Sequence, residues 1–250
     1  MLTDPVFPPK VTQSTRGQAV GVSLFFVALL LLGLFAYRDY GISYDEATSR
    51  TNGMVSLKHV IKTTGLEIFK GDSELEKFKV PLETYSDRDY GVAFEMPLAA
   101  AERLLALGDV QQQYMFRHLA TFLAFMVGVF AVYRLAARRF SNWAWGLVAG
   151  TMLVVSPRFF AEAFYNDKDI VFMACIAIAM NTMVLFLEKP STRTLLLHAI
   201  ATGFAIDVRV MGIFLPVITV CVMGARVVQR QVSLKHACAA TLGYLVVTAV

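Results

Sequence analysis

The chain has 250 residues, 56% of them hydrophobic and only 17% charged, with a formal net charge of +4. Charged residues make up about a quarter of a typical soluble domain, and a mean hydropathy of +0.57 with several long uncharged runs exceeds what one soluble core requires. Collagen, coiled coil, disulfide scaffold and disordered tail are excluded, and a polytopic membrane protein remains.

In chain order, residues 1–16 contain Pro5, Pro8, Pro9, Lys10 and Arg16 and read as a polar tail. Ala19 to Ala36 follows without one charge, and no small-residue cleavage site clearly ends it, so it reads as a retained membrane helix rather than a signal peptide. Residues 38–113 are too long and too polar for a turn between two spans, and loops of that length usually carry function. Within them, Met54–Phe69 and Pro97–Leu107 space their apolar residues along one helix face and are expected to lie parallel to the membrane surface. Further spans are expected at Tyr114–Tyr133, Trp143–Ser156, Ile170–Leu187, Leu195–Ile206, Val210–Ala225 and from Ala237 onward. The expected architecture is therefore an all-α transmembrane helix bundle with about seven spans. The apolar run from Ala237 to Val250 is too short to cross about 30 Å of hydrocarbon, so the chain is expected to be the front part of a longer protein.

Charge placement orients this bundle. With the N-terminus in the cytoplasm, Lys10, Arg16, Arg134, Arg138, Arg139, Lys189, Arg193, Arg226, Arg230 and Lys235 all fall on the cytoplasmic side, as the positive-inside rule requires. All of the nineteen carboxylates except Asp4 and Glu188 then face outward, and 38–113 becomes the first extracytoplasmic loop. The net charge thus reports membrane topology and not a nucleic-acid partner. Cys175, Cys221 and Cys238 lie in apolar runs without CxxC spacing, which indicates neither a zinc site nor a disulfide framework.

Two acidic pairs meet the outer face. Asp45 and Glu46 follow the first span; Asp45 either caps a helix beginning at Glu46 or serves as a general base. Asp167 and Asp169 precede the fourth span, where they either cap its N-terminus and compensate its dipole or help to hold a divalent cation. Outward basic residues are rare. Arg158 borders the second acidic pair, and Arg209 either pairs with Asp207 or captures a lipid phosphate, because a cation at membrane depth needs an anion. His198, inside the fifth span, is expected to be a hydrogen-bonded interior histidine.

A first span followed by an outward DE pair, a long loop, and then a span ending SPRFFAEAFYNDKDIVF resembles the membrane part of the GT-C fold glycosyltransferases, in particular the protein O-mannosyltransferase and aminoarabinose-transferase branch. The resemblance implies a polyprenyl-phosphate sugar donor, an acceptor hydroxyl on a glycan, lipid or protein, inversion at the anomeric carbon, and residence in a bacterial inner membrane with the active site outside the cytoplasm. It assigns Asp45 as catalytic base with Glu46 beside it, Asp169 and less directly Asp167 as orienting groups or cation ligands, and Arg209 as phosphate-binding; Arg158, the other outward arginine near these acids, is added as a second phosphate-binding candidate. YGVAFEMPLAAAERLL stands where relatives carry a His-Pro-Pro type stretch, which leaves the acceptor open. Competing readings are a transporter or flippase, whose charges would sit nearer the midplane, and a non-catalytic subunit of an envelope assembly.

Overall fold

The computed structural model describes residues 16–69 and 71–249. Lys70, Val250 and nearly all of the expected cytoplasmic tail, with Asp4 and Lys10, lie outside the described residues. The described chain is all-α: α1 (Arg16–Ala36), α2 (Glu46–Thr64), α3 (Glu95–Leu104), α4 (Val110–Arg139), α5 (Trp143–Val154), α6 (Pro157–Tyr165), α7 (Asp169–Glu188), α8 (Thr192–Val208), α9 (Phe214–Val228) and α10 (Leu234–Ala249). Short 3-10 turns occupy 67–69, 75–77 and 82–84, and a fourth, Val210–Ile213, leads into α9.

Among the described residues, four helices are long and apolar enough to cross a membrane: α1, α4, α7 and the continuous Val210–Val228 stretch. α5 and α6 are apolar enough together but are bent by 70° at Val155–Ser156, where Pro157 starts a new helix. Seven spans were expected from apolar runs. α8 and α10, with 17 and 16 residues, reach only about 25 Å each and fall short on length.

α4 is the central strut. It packs on α1, α5, α6 and α7, and the cluster of Leu29, Phe122, Phe125, Val129, Phe164 and Ile170 seals this half of the bundle. Phe164 stacks between Tyr40 and Phe122, with ring centroids 4.4 and 5.0 Å away. The other half, α7 to α10, is pinned by a satisfied polar core. His198 bonds Thr182 at 3.1 Å and Thr219 at 2.9 Å and stacks on Tyr244, whose hydroxyl donates to Thr202. His198 is thus the interior histidine that its apolar setting suggested.

The polar segment 38–109 folds on one end of this bundle. α2 begins at Glu46, eight residues before the expected amphipathic helix, and stops at Gly65, whose positive φ of 69° closes the helix with a bond to the Ile61 carbonyl. Met54 and Leu57, expected to meet lipid, instead pack on Leu75 and Ala99. α3 begins two residues before the expected Pro97, which falls in the first turn, where no helical N–H is lost. Arg50 bridges α2 to Glu102 on α3 at 2.5 Å, and Gly53 lets the α3 backbone at Glu95 approach so closely that a Cβ would strike its carbonyl. At Gly91 the same segment rests against the Asp207 carbonyl, again with no space for a Cβ. The basic residues gather at the opposite end, where Arg138 pairs with Glu188 and Arg226 donates to the Leu187 carbonyl.

Candidate active site

A cleft of about 740 Å³ opens where the polar segment meets the bundle. Four separate parts of the chain line it: Asp45, Ser49 and Asn52 from α2; residues 89–91, Phe94 and Glu95 before and at the start of α3; Asp167 and Lys168 between α6 and α7; and 206–211 at the break between α8 and α9. One wall is polar and carboxylate-rich. The lining from 206–211, with Ile206, Val208, Val210 and Met211, is apolar except for Asp207 and Arg209.

The structure brings Asp45, Asp167 and Arg209 to this one cleft. Asp45 occupies the N-cap position of α2, yet its side chain makes no cap bond; only its carbonyl accepts from the Ser49 N–H, at 2.9 Å. Its exposed carboxylate is therefore free of the capping role that the sequence allowed. Glu46 parts from its neighbour. It is 1% exposed, accepts from the Ser43 N–H at 2.6 Å and stands 2.9 Å from His118 Nε2, outside the cleft lining. The DE pair named together in the sequence is thus divided: successive residues at the start of a helix point about 100° apart, so Asp45 lines the cleft and Glu46 is buried against His118.

Asp167 is 4% exposed and accepts from Ser49 Oγ at 3.1 Å, with Arg117 Nη2 3.7 Å from its other oxygen. Burial pushes its carboxyl above the ordinary aspartate range; Arg117 and the Ser49 bond pull it back only in part, and the Glu46 charge adds to the rise. Asp169 begins α7 at the rim and exchanges hydrogen bonds with Asn166, whose side chain caps its N–H at 2.8 Å.

Arg209 pairs with Asp169 at 2.7 Å, not with Asp207, which instead accepts from the Ala93 N–H at 2.5 Å. The Asp207–Arg209 pair allowed by sequence proximity does not form, because α8 ends at Val208 and the extended backbone of Arg209 turns its side chain away. Arg158 is not among the cleft residues. It lies exposed on α6 and bonds Glu162 one turn on, at 2.8 Å.

Sequence reasoning missed Glu95, Arg117 and His118. Arg117, 1% exposed near the start of α4, bonds Glu95 and faces Asp167. The signal was present: an Arg-His step inside a predicted span is costly without anions, and its partners had to come from the outward acids. Among the described residues, no group of three or more His, Cys, Asp or Glu is close enough to hold a metal ion. The cations facing these acids are guanidinium groups, Arg117 for Glu95 and Asp167 and Arg209 for Asp169, so the residues present do not fit a resident divalent cation.

Residues 104–250, over half of the chain, match the dolichyl-phosphate-mannose-protein mannosyltransferase family. The chain belongs to this family. It is accordingly an integral membrane glycosyltransferase with a GT-C type bundle, and the family name points to a sugar donor linked to a polyprenyl phosphate. No curated protein and no solved structure matches the chain.

Proposed function

We propose that this mannosyltransferase relative moves a sugar from a polyprenyl-phosphate donor to an acceptor hydroxyl on the extracytoplasmic side, with inversion at the anomeric carbon. The observation that carries the reading is the meeting of Asp45 and Arg209 in one cleft with a polar and an apolar wall. Asp45, exposed and free of a cap bond, takes the proton from the acceptor hydroxyl. The acceptor oxygen forms its bond to the anomeric carbon as the bond from that carbon to the phosphate oxygen breaks, so a single displacement inverts the centre. The departing polyprenyl phosphate keeps the electron pair and is stabilised by Arg209, with its chain along Val208, Val210 and Met211. Asp169 holds Arg209 until phosphate competes for it, and Asp167 orients the site from behind.

Outward placement of the cleft follows from the basic residues at the far end of the bundle, which the positive-inside rule puts in the cytoplasm. A bacterial inner membrane fits a donor delivered in lipid form, because nucleotide sugars are scarce outside the cytoplasm. The acceptor is a hydroxyl of a glycan, lipid or protein, and Arg158, exposed on α6 outside the cleft lining, is a candidate second contact for the donor's phosphate. The test incubates full-length protein in proteoliposomes with a panel of polyprenyl-phosphate sugars and follows released polyprenyl phosphate. Release that requires both Asp45 and Arg209 supports the reading; full release by Asp45→Asn sinks the assigned base.

A further inference from the structure

The buried end of the cleft holds bonding capacity that the protein does not use. Glu95 and Asp167 both line the cleft, are 6% and 4% exposed, and each keeps one carboxylate oxygen, Oε1 and Oδ2, without a hydrogen bond. Arg117 stands behind them: its Nη2 bonds Glu95, while its Nε and Nη1 are buried with no acceptor. A buried polar atom left unmet is costly, and between α7 and α10 the buried polar side chains are met, as the bonded set of His198, Thr182, Thr219, Thr202 and Tyr244 shows. Of the seven buried side-chain atoms without a hydrogen bond among the described residues, three are on His118 and Arg103, and the other four belong to Glu95, Asp167 and Arg117, at the cleft and directly behind it.

Their chemistry narrows the ligand. Two carboxylate oxygens call for O–H or N–H donors, so a phosphate, which offers acceptors and negative charge, does not suit them. A polyprenyl chain satisfies none of them. Hydroxyl groups donate to the carboxylates and have lone pairs left for a neighbouring guanidinium N–H, and a sugar ring presents several in fixed directions. The spacing agrees: Ser49, which holds Asp167, is one helical turn along α2 from Asp45 and fully buried where Asp45 is exposed. Four residues rise about 6 Å along the axis, the scale of one sugar ring.

We infer that Glu95 and Asp167, backed by Arg117, form the subsite that binds the ring hydroxyls of the transferred sugar and so decides which sugar the enzyme accepts. This rests on the transferase reading above. Asp45 and Arg209 act at the anomeric carbon at the rim, and Glu95 and Asp167 read the ring below it. Arg117 is a positioning residue, because it acts through the two carboxylates.

The experiment uses full-length protein with polyprenyl-phosphate mannose and its 2-, 3-, 4- and 6-deoxy analogues as donors, comparing kcat/KM for wild type, Glu95→Gln, Asp167→Asn and Ser49→Ala. Wild type is expected to lose at least about tenfold on one or more deoxy donors, because the missing hydroxyl leaves a buried carboxylate unmet. Glu95→Gln and Asp167→Asn should shrink that penalty to within about threefold while still transferring the parent sugar at a reduced rate. Ser49→Ala, which keeps both charges and removes only the bond to Asp167, should shrink it in part and guards against misfolding of the charge variants. Undiminished discrimination in the variants, or equal use of all donors by wild type, overturns the subsite. If wild type transfers sugar from none of these donors and from none of the wider panel of polyprenyl-phosphate sugars, the transferase reading fails and the subsite falls with it; transfer from another sugar of the panel moves the same deoxy series to that sugar.

Discussion

His118 on α4 stands 2.9 Å from Glu46 at the first position of α2, with both side chains at most 3% exposed. This contact joins the outward segment to the central helix just behind Asp45. Removing the imidazole in His118→Ala leaves Glu46 with only the Ser43 N–H, and the expected loss is about 1–3 kcal/mol for the unmet carboxylate oxygen. A double-mutant cycle with Glu46→Gln, read by thermal melting in detergent, should give a non-additive term. Additive losses would show that the contact does not couple the two elements.

Asp45→Asn should leave the melting curve unchanged, since the carboxylate is exposed and makes no cap bond that Asn would forfeit. Turnover should fall at least about a hundredfold, the contribution of a general base. The measurement is sugar transfer beside a melting curve on the same preparation.

Arg209→Ala should weaken donor use with little cost to the fold. Its ion pair with Asp169 is more than a third exposed on both sides, and such pairs contribute about 0–1 kcal/mol. Donor KM should rise and kcat should fall, because the phosphate is bound in the ground state and carries more charge on departure. Arg209→Lys should recover part of kcat. Unaltered kinetics in Arg209→Ala would remove this residue from the donor site.

The buried carboxyl of Asp167 makes stability depend on pH. Its pKa in the folded protein lies above the ordinary aspartate value, so the native state holds this proton more tightly than the unfolded chain. Its contribution is fully present below the unfolded pKa and is lost as pH rises through the folded value. Melting temperatures taken from pH 4 to 8 should decline more steeply with rising pH in wild type than in Asp167→Asn. Parallel curves would mean that Asp167 ionises as it does in the unfolded chain.

Much of this was legible in the sequence. Apolar runs marked α1, α4 and α7, α4 less closely because the expected span Tyr114–Tyr133 left out its first four and last six residues, and the outward acids marked the end of the bundle that bears the cleft. Pairings were not legible, because they depend on how elements 100 residues apart dock. Asp207 looked like the partner of Arg209 two residues on, but the chain turns between them and each finds a residue from another element. Glu95 reads as one acid among many in a polar loop until Gly53 brings α3 onto α2 and Arg117 receives it. The register of α2 was misjudged for a similar reason. Its first two turns bury Glu46, Ser49 and Asn52, which hydropathy scores as exposed.

The seating of Gly91 on the Asp207 carbonyl ties the water-side rim to the stretch of chain that carries Arg209 and the apolar wall. A β-carbon at position 91 would collide with that carbonyl, so the segment that leads into Glu95 and the stretch that carries Arg209 keep their spacing across the cleft only while glycine stands there.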